Sequence, residues 1–299
     1  MELNWETVND LPLSAATVIM LRDGTHGLEV FLIKRHIKSN VLGGVFVFPG
    51  GKVDQLDARL DRALHIDQPL LDLHTALNEP DIDHATAAGL YVAAVREVFE
   101  ESSILFAQGV GLVQAERATA MMREGMTFAA VLANMQLRLQ TSSLAPWSRW
   151  ITPTTPSVTN KRFDTRFFIA AVPAGQIATH DNFEATESIW LKPRTALEWQ
   201  RDGLIEMAPP QIMTLAHISS FENIQAAMRY AKSRKPPVIQ PHAIDIDGTR
   251  VICYPGDEQH PVKEKAMPGP TRLQYHNKLF TPVGGFETLF TPLSTCKNF

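Results

Sequence analysis

Apolar positions near the start of the chain come in unbroken runs. Residues 15–22 and 28–35 are rich in β-branched and aromatic side chains, and the turn-forming stretch Asp23-Gly24-Thr25-His26-Gly27 lies between them. This predicts a β-hairpin, and apolar runs without polar alternation predict strands covered on both faces. A shorter run, Val45-Phe46-Val47-Phe48, leads straight into Pro49-Gly50-Gly51. Proline stops a strand and paired glycines permit a tight bend. Residues 56–84 are charged and irregular, with short helical pieces about 60–64 and 70–77 punctuated by Pro69 and Pro80, and read as an insertion.

Helical spacing takes over after that. A long helix is expected to begin near Asp83 to Thr86, with either of those two residues as its cap, and to end near Ser102 or Ser103. At about 100° per residue, Val92, Val95, Phe99 and Ser102 share a face that should pack on a core. Helices are expected over 114–124 and 127–140, strands over 147–152, 162–172 and 187–191, and helices over 193–200, 209–219 and 222–233. Lys235-Pro236-Pro237 marks a boundary, and residues 238–299 are rich in proline, glycine and turn signals, with one hairpin from residues 242–246 and 251–254. The order of elements predicts a mixed α/β sandwich and lacks the regular alternation of a doubly wound sheet.

The polar face of the long helix carries chemistry. Glu97, Glu100 and Glu101 stand at i, i+3 and i+4, so their carboxylates are neighbours. Crowded carboxylates repel one another unless a cation sits between them. Hard oxygen donors on a rigid backbone suit Mg²⁺ or Mn²⁺. The alternative is a solvated acidic face with no ligand.

Composition narrows the partners. The chain has 299 residues, is 44% hydrophobic and 20% charged, and carries a net charge of −4, which argues against a general nucleic-acid binder. Two cysteines, Cys253 and Cys296, need no disulfide framework and suit a reducing compartment. No stretch is long and apolar enough for a membrane span, and the last residues, Cys-Lys-Asn-Phe, are not a peroxisomal address, so the cytoplasm is the expected location. The ten histidines are scattered without metal spacing and no C-x-x-C occurs, so no zinc site is expected.

Taken together, a Gly-Gly bend, acidic residues soon after it, and Arg-Glu-x-x-Glu-Glu on a helix resemble the Nudix hydrolase signature, G-x5-E-x7-R-E-U-x-E-E-x-G-U, where U is a bulky aliphatic residue. Gly51, Arg96, Glu97, Val98, Glu100, Glu101 and Ile104 match it. The chain departs from it in three ways. Asp57 stands for the first Glu, Ser103 stands for the later Gly, and 38 residues separate Asp57 from Arg96, so about 31 are inserted. Phe48, Pro49, Gly50, Gly51, Asp54 and Asp57 match the F-P-G-G-x-x-D-x-x-D of the coenzyme A and acyl-coenzyme A diphosphatase branch, whose peroxisomal type also carries a long insertion. Arg35 and Gly44 fit part of a coenzyme A motif, and the likeness extends over about residues 12–220.

The resemblance implies a Nudix-type α/β/α sandwich with a mixed sheet, extra helices and a C-terminal extension. The Nudix domain would span 1–235, with its insertion about 57–84 and a helical segment about 113–141, and the extension would span 236–299. It implies cleavage of a small-molecule diphosphate by metal-activated water. Glu97, Glu100 and Glu101 would be metal ligands with the carbonyl of Gly51, and Glu97 is alternatively the general base. Arg96 would support Glu97 in the catalytic pair. A distal Glu, Glu184 or else Glu187, would complete the metal site. Arg35, Gly50 and Gly51 are candidates for binding substrate, as are Arg162 and Arg166, for which an Arg–carboxylate network is the alternative. Coenzyme A or its thioesters, NADH, ADP-ribose or another nucleoside diphosphate are the candidate substrates. An idle binding module of the same fold is the rival reading. The extension could close the site, pair two subunits in a homodimer, or cover a sheet edge.

Overall fold

The computed structural model describes residues 3–39 and 41–290. The first hairpin is β1 (Leu13–Gly24) and β2 (Gly27–Arg35), followed by β3 (Phe46–Val47) and β4 (Gly50–Lys52). The insertion holds a 3-10 turn (Asp57–Arg59) and two short helices, α1 (Arg62–His65) and α2 (Leu70–Leu77), and leads into the long helix α3 (His84–Ser102). Then come α4 (Leu112–Arg123), α5 (Phe128–Met135), β5 (Leu144–Ile151), β6 (Phe163–Ala171), β7 (Ala185–Leu191), α6 (Pro193–Arg201), α7 (Pro209–Ile218) and α8 (Ile224–Lys232). The extension forms β8 (Val238–Ile239), β9 (His242–Ile246), β10 (Thr249–Cys253), β11 (Arg272–His276) and β12 (Leu279–Pro282).

The main sheet runs β3-β2-β1-β6-β5-β8, with β4 added to β1 and β7 added to β2. It is mixed, since β1–β6 and β5–β8 are parallel and the other pairs antiparallel. Both faces are covered, which accounts for the unbroken apolar runs. Val18 and Met20 of β1 and Phe31 of β2 face a core built with α3. Ile19, Leu21 and Leu32 face a second core built with α6, α7 and α8. The result is the expected α/β/α sandwich.

Helix α3 begins where its cap residue dictates: the Asp83 carboxylate accepts a hydrogen bond from the Thr86 N–H at 2.6 Å. It ends at Ser103, which takes the left-handed conformation with φ of 59°. That is the position where the signature has glycine, and glycine is the residue that adopts this conformation without a Cβ penalty.

Two expectations need correction. The helix expected over 127–140 stops at Met135, because Gln136 turns left-handed at φ of 52° and Leu139 pairs instead with Ile66 of the insertion. The extension is more regular than its proline and glycine content suggested. Its strands β9 to β12 form a second, antiparallel sheet, and Ile252, Leu273 and Phe280 from that sheet belong to the second core. Strand β8 pairs with the outer edge of β5 and so covers a sheet edge.

The insertion packs back on the domain. A Cβ on Gly89 of α3 would come within 3.2 Å of the Ala58 side chain, so the bare helix surface there eases the close approach of the 3-10 turn. At the insertion's far end, Glu79 is buried between two arginines of the sheet, with Arg166 at 2.9 Å and Arg149 at 2.9 Å.

Candidate active site

The bend at Gly50 and Gly51 belongs to β4, which pairs with Ala15 to Thr17 of β1 and lies against α3. Each glycine is required by what stands beside it. A Cβ on Gly50 would strike the backbone of Ala16 and Thr17, and a Cβ on Gly51 would come within 2.6 Å of Glu97 Oε1. The Gly50 N–H donates to Glu101 Oε2 at 2.8 Å. The bend and the acidic helix are thus in direct contact, despite the long spacer between them.

Asp57 and Arg96 close the spacer. Asp57 Oδ2 accepts from the Asp54 N–H at 2.7 Å, and Arg96 grips both Asp57 oxygens at 2.9 Å. The same guanidinium donates to Glu97 Oε1 at 2.9 Å, to Glu100 Oε2 at 3.0 Å and to the Lys52 carbonyl at 3.0 Å. The inserted residues leave the site at Asp57 and return along α3, so the detour preserves the local geometry. Burial works against the charge of Arg96, but the hydrogen bonds to Asp57 and the nearby Glu97 outweigh it and hold the guanidinium charged.

Burial disfavours the charged form of all three helix carboxylates, although each has an arginine beside it. Burial, with Glu100 and Glu184 adding repulsion, pushes Glu97 up to about 7 against the pull of Arg96. Burial pushes Glu101 up to about 8, although Gly50 and Arg35 pull it down. Glu100 is raised as well, mainly by burial. Their hard oxygen atoms and mutual repulsion suit a divalent cation. Among the described residues, however, no three acids are arranged so as to hold a metal ion. Glu101 spends its oxygens on Gly50 and Arg35, while Arg96 bridges Glu97 and Glu100.

These groups open on one cavity of about 690 Å³. Gly50, Gly51, Arg96, Glu97, Arg35 and Glu184 line one end of it; Glu100 and Glu101 do not line it.

Residues 80–218 match the family model described as the NUDT19 Nudix domain. The chain is 26% identical over 266 residues to a putative nudix hydrolase 7 of Caenorhabditis elegans, covering 87% of this chain and 78% of that one. It is 26% identical over 280 residues to the acyl-coenzyme A diphosphatase NUDT19 of Xenopus laevis, covering 80% and 73%. Its fold resembles the crystal structure of a NUDIX hydrolase from Alicyclobacillus acidocaldarius, with a TM-score of 0.59 and 24% identity over 77% of this chain and 99% of the other. Over these residues the chain is similar to the Nudix hydrolase superfamily. Within it, the likeness runs to the coenzyme A diphosphatase branch, and the enzyme class is that of a Nudix diphosphatase.

The Nudix helix is α3, and the matched residues begin after the Gly50 bend, so the pairing of bend and helix rests on the contacts above. Of the two distal acids, Glu184 reaches the cavity and stands 3.7 Å from Arg35 Nη2. Asp181 holds it there by accepting from the Glu184 and Ala185 N–H groups. Glu187 lies instead on β7, paired with Lys34 at the surface. Arg35 splits its guanidinium between Glu101 at 3.4 Å and Glu184.

Arg162 and Arg166 do not join the site. The side chains of β6 that line the cavity are the alternate ones, Phe163, Thr165 and Phe167. Arg166 is buried on the opposite face with Glu79 and Asp164, and Arg162 donates to the carbonyls of Thr152 and Asp10. The Arg–carboxylate network describes Arg166. Its partner Glu79 could not have been singled out in advance, because it lies far upstream in a stretch with no periodicity.

Proposed function

We propose that this Nudix diphosphatase hydrolyses coenzyme A or its acyl thioesters to 3′,5′-ADP and (acyl-)4′-phosphopantetheine, with Mg²⁺ or Mn²⁺ as its cation. One observation carries the reading: a single cavity is lined both by Glu97, Arg96, Arg35 and Glu184 and by apolar side chains that include Trp150, Phe163, Phe167 and Ile252, with room for an organic arm. The family and the acyl-coenzyme A diphosphatase relatives favour that substrate over NADH or ADP-ribose.

The residues that would hold the cation are Glu97, Glu100 and Glu101, the carbonyl of Gly51, and Glu184, and the carboxylates would have to turn to it from their present contacts with Arg96, Arg35 and the Gly50 N–H. When bound, it neutralises diphosphate charge and makes a water molecule easier to deprotonate. Glu97 is alone of the three helix acids in lining the cavity, which supports a role for it in accepting the proton, as the alternative to ligating the cation, while the water oxygen bonds to phosphorus. The P–O bond to the second phosphate then breaks, and that phosphate departs with the bonding pair. Arg96 fixes the carboxylate of Glu97 through its Nη1. Arg35 offers charge to phosphate oxygens, and bare backbone at Gly50 and Gly51 lets them come close.

The test is a panel of coenzyme A, an acyl-coenzyme A, NADH and ADP-ribose, with Mg²⁺, Mn²⁺ or EDTA, followed by product identification. Metal-dependent release of 3′,5′-ADP is expected. Turnover confined to NADH or ADP-ribose would replace the substrate and keep the chemistry; no turnover with any member would leave the idle-module reading. Cytoplasmic residence and a homodimer belong to the same proposal, and cell fractionation and sedimentation test them. No helix among the described residues is long and apolar enough to cross a membrane.

A further inference from the structure

The cavity continues well beyond the acids. Besides Glu97 it is lined by Trp150, Phe163 and Phe167 of the main sheet and by Ala243 and Ile252 of the second sheet. Ala243 and Ile252 are direct partners across β9 and β10, so they present one face together. That face is firmly seated. Ile252 and Leu273 belong to the second core, Gln200 Nε2 donates to the Phe280 carbonyl at 3.1 Å, and Arg250 stacks 4.3 Å over Trp5 while pairing with Asp245 at 2.7 Å. The wall is therefore a fixed part of the fold, supplied from outside the matched residues 80–218.

Two further features point to what lies against it. Gln211 lines the same cavity, is 93% buried, and its Oε1 has no hydrogen-bond partner. A buried acceptor without a donor is costly, and an amide N–H in a bound arm would satisfy it. Next, a second hollow of about 890 Å³ lies beyond, and Pro153, Pro241 and Ala243 line both. Ala243 has the smallest side chain of the three, so a larger one there would take space from both hollows.

We propose that the apolar half of the cavity receives the acyl-bearing arm of the substrate, and that Ala243 sets how long an arm the enzyme accepts. The proposal rests on the diphosphatase reading for its substrate class. It adds a role for the extension: the second sheet works as the specificity wall of the active site. Each methylene taken out of water contributes through burial, so longer acyl chains gain affinity until they meet an obstruction.

The experiment compares wild type with Ala243→Phe and the milder Ala243→Leu, each first shown by circular dichroism and thermal melting to be folded. The kcat/KM values for acetyl-, hexanoyl- and dodecanoyl-coenzyme A are measured with Mg²⁺. The dodecanoyl-to-acetyl ratio should fall about 10-fold or more in Ala243→Phe and by less in Ala243→Leu. An unchanged ratio in a folded variant overturns the proposal. Dissociation constants of the same thioesters, measured by calorimetry in EDTA, separate this inference from the parent reading. If wild type turns nothing over, the diphosphatase reading fails. Dodecanoyl-coenzyme A that still binds more tightly than acetyl-coenzyme A, with the difference lost in Ala243→Phe, keeps the wall; equal affinities in wild type refute it.

Discussion

Gly51 has no side chain, and the carboxyl group of Glu97 stands where one would be. This contact joins the two halves of the Nudix box across its insertion. Gly51→Ala should therefore displace the Glu97 carboxylate while leaving both cores untouched. Turnover is expected to fall about 100-fold or more, with a melting temperature within a few degrees of wild type. Steady-state kinetics alongside calorimetric melting would show it; full activity would mean that the contact is incidental.

The pH dependence of stability follows from the acids. Glu97 and Glu101, pushed up to about 7 and about 8 from an ordinary value of 4.5, bind protons more readily folded than unfolded. The native state thus holds more protons through this window, and stability falls as pH rises from about 4.5 to about 8. Melting in EDTA should show that decline, and added Mg²⁺ should reduce it at the alkaline end. A melting temperature that rises steadily from pH 5 to 8 in EDTA would contradict the assigned electrostatics.

Glu79 makes a contrasting prediction. It pairs with Arg149 and Arg166 and touches neither the cavity nor the Nudix helix acids. Glu79→Gln should leave Arg166 buried with less than its full countercharge and destabilise the fold by about 3–5 kcal/mol. The turnover of the molecules that remain folded should be unaffected. Urea unfolding and active-fraction kinetics distinguish this from a substrate-binding role for Arg166, which would lower turnover directly.

Ser103 occupies a left-handed position with φ of 59° at the end of α3. Ser103→Gly removes the Cβ penalty and should stabilise the protein by about 0.5–1 kcal/mol. Equilibrium unfolding would detect it.

What the sequence disclosed follows the range of the interactions involved. The hairpin was legible because β1 and β2 are covered on both faces and so leave apolar runs. The Nudix helix was legible because its cap, its buried face and its acids all lie within one stretch. The preference for Glu184 over Glu187 was legible in part, from the strand that adjoins Glu187, but the hold of Asp181 on the Glu184 backbone was not. Arg166 stayed open between phosphate and an Arg–carboxylate network because its partner sits 87 residues away in an irregular stretch. The hairpin of β11 and β12 escaped because Asn277 and Lys278 make its turn with φ of 50° and 65°, and lysine gives no turn signal. The cavity wall at Ala243 and Ile252 is invisible in one dimension, because only packing brings the second sheet to the site.

The most direct test of the account is turnover of coenzyme A against Mg²⁺ concentration, for wild type and Glu100→Gln matched by circular dichroism. Wild type should depend on the cation and fall silent in EDTA, and the variant should lose about 100-fold or more. Turnover that persists in EDTA, or that Glu100→Gln leaves unchanged, would contradict a cation-holding acid cluster on the Nudix helix.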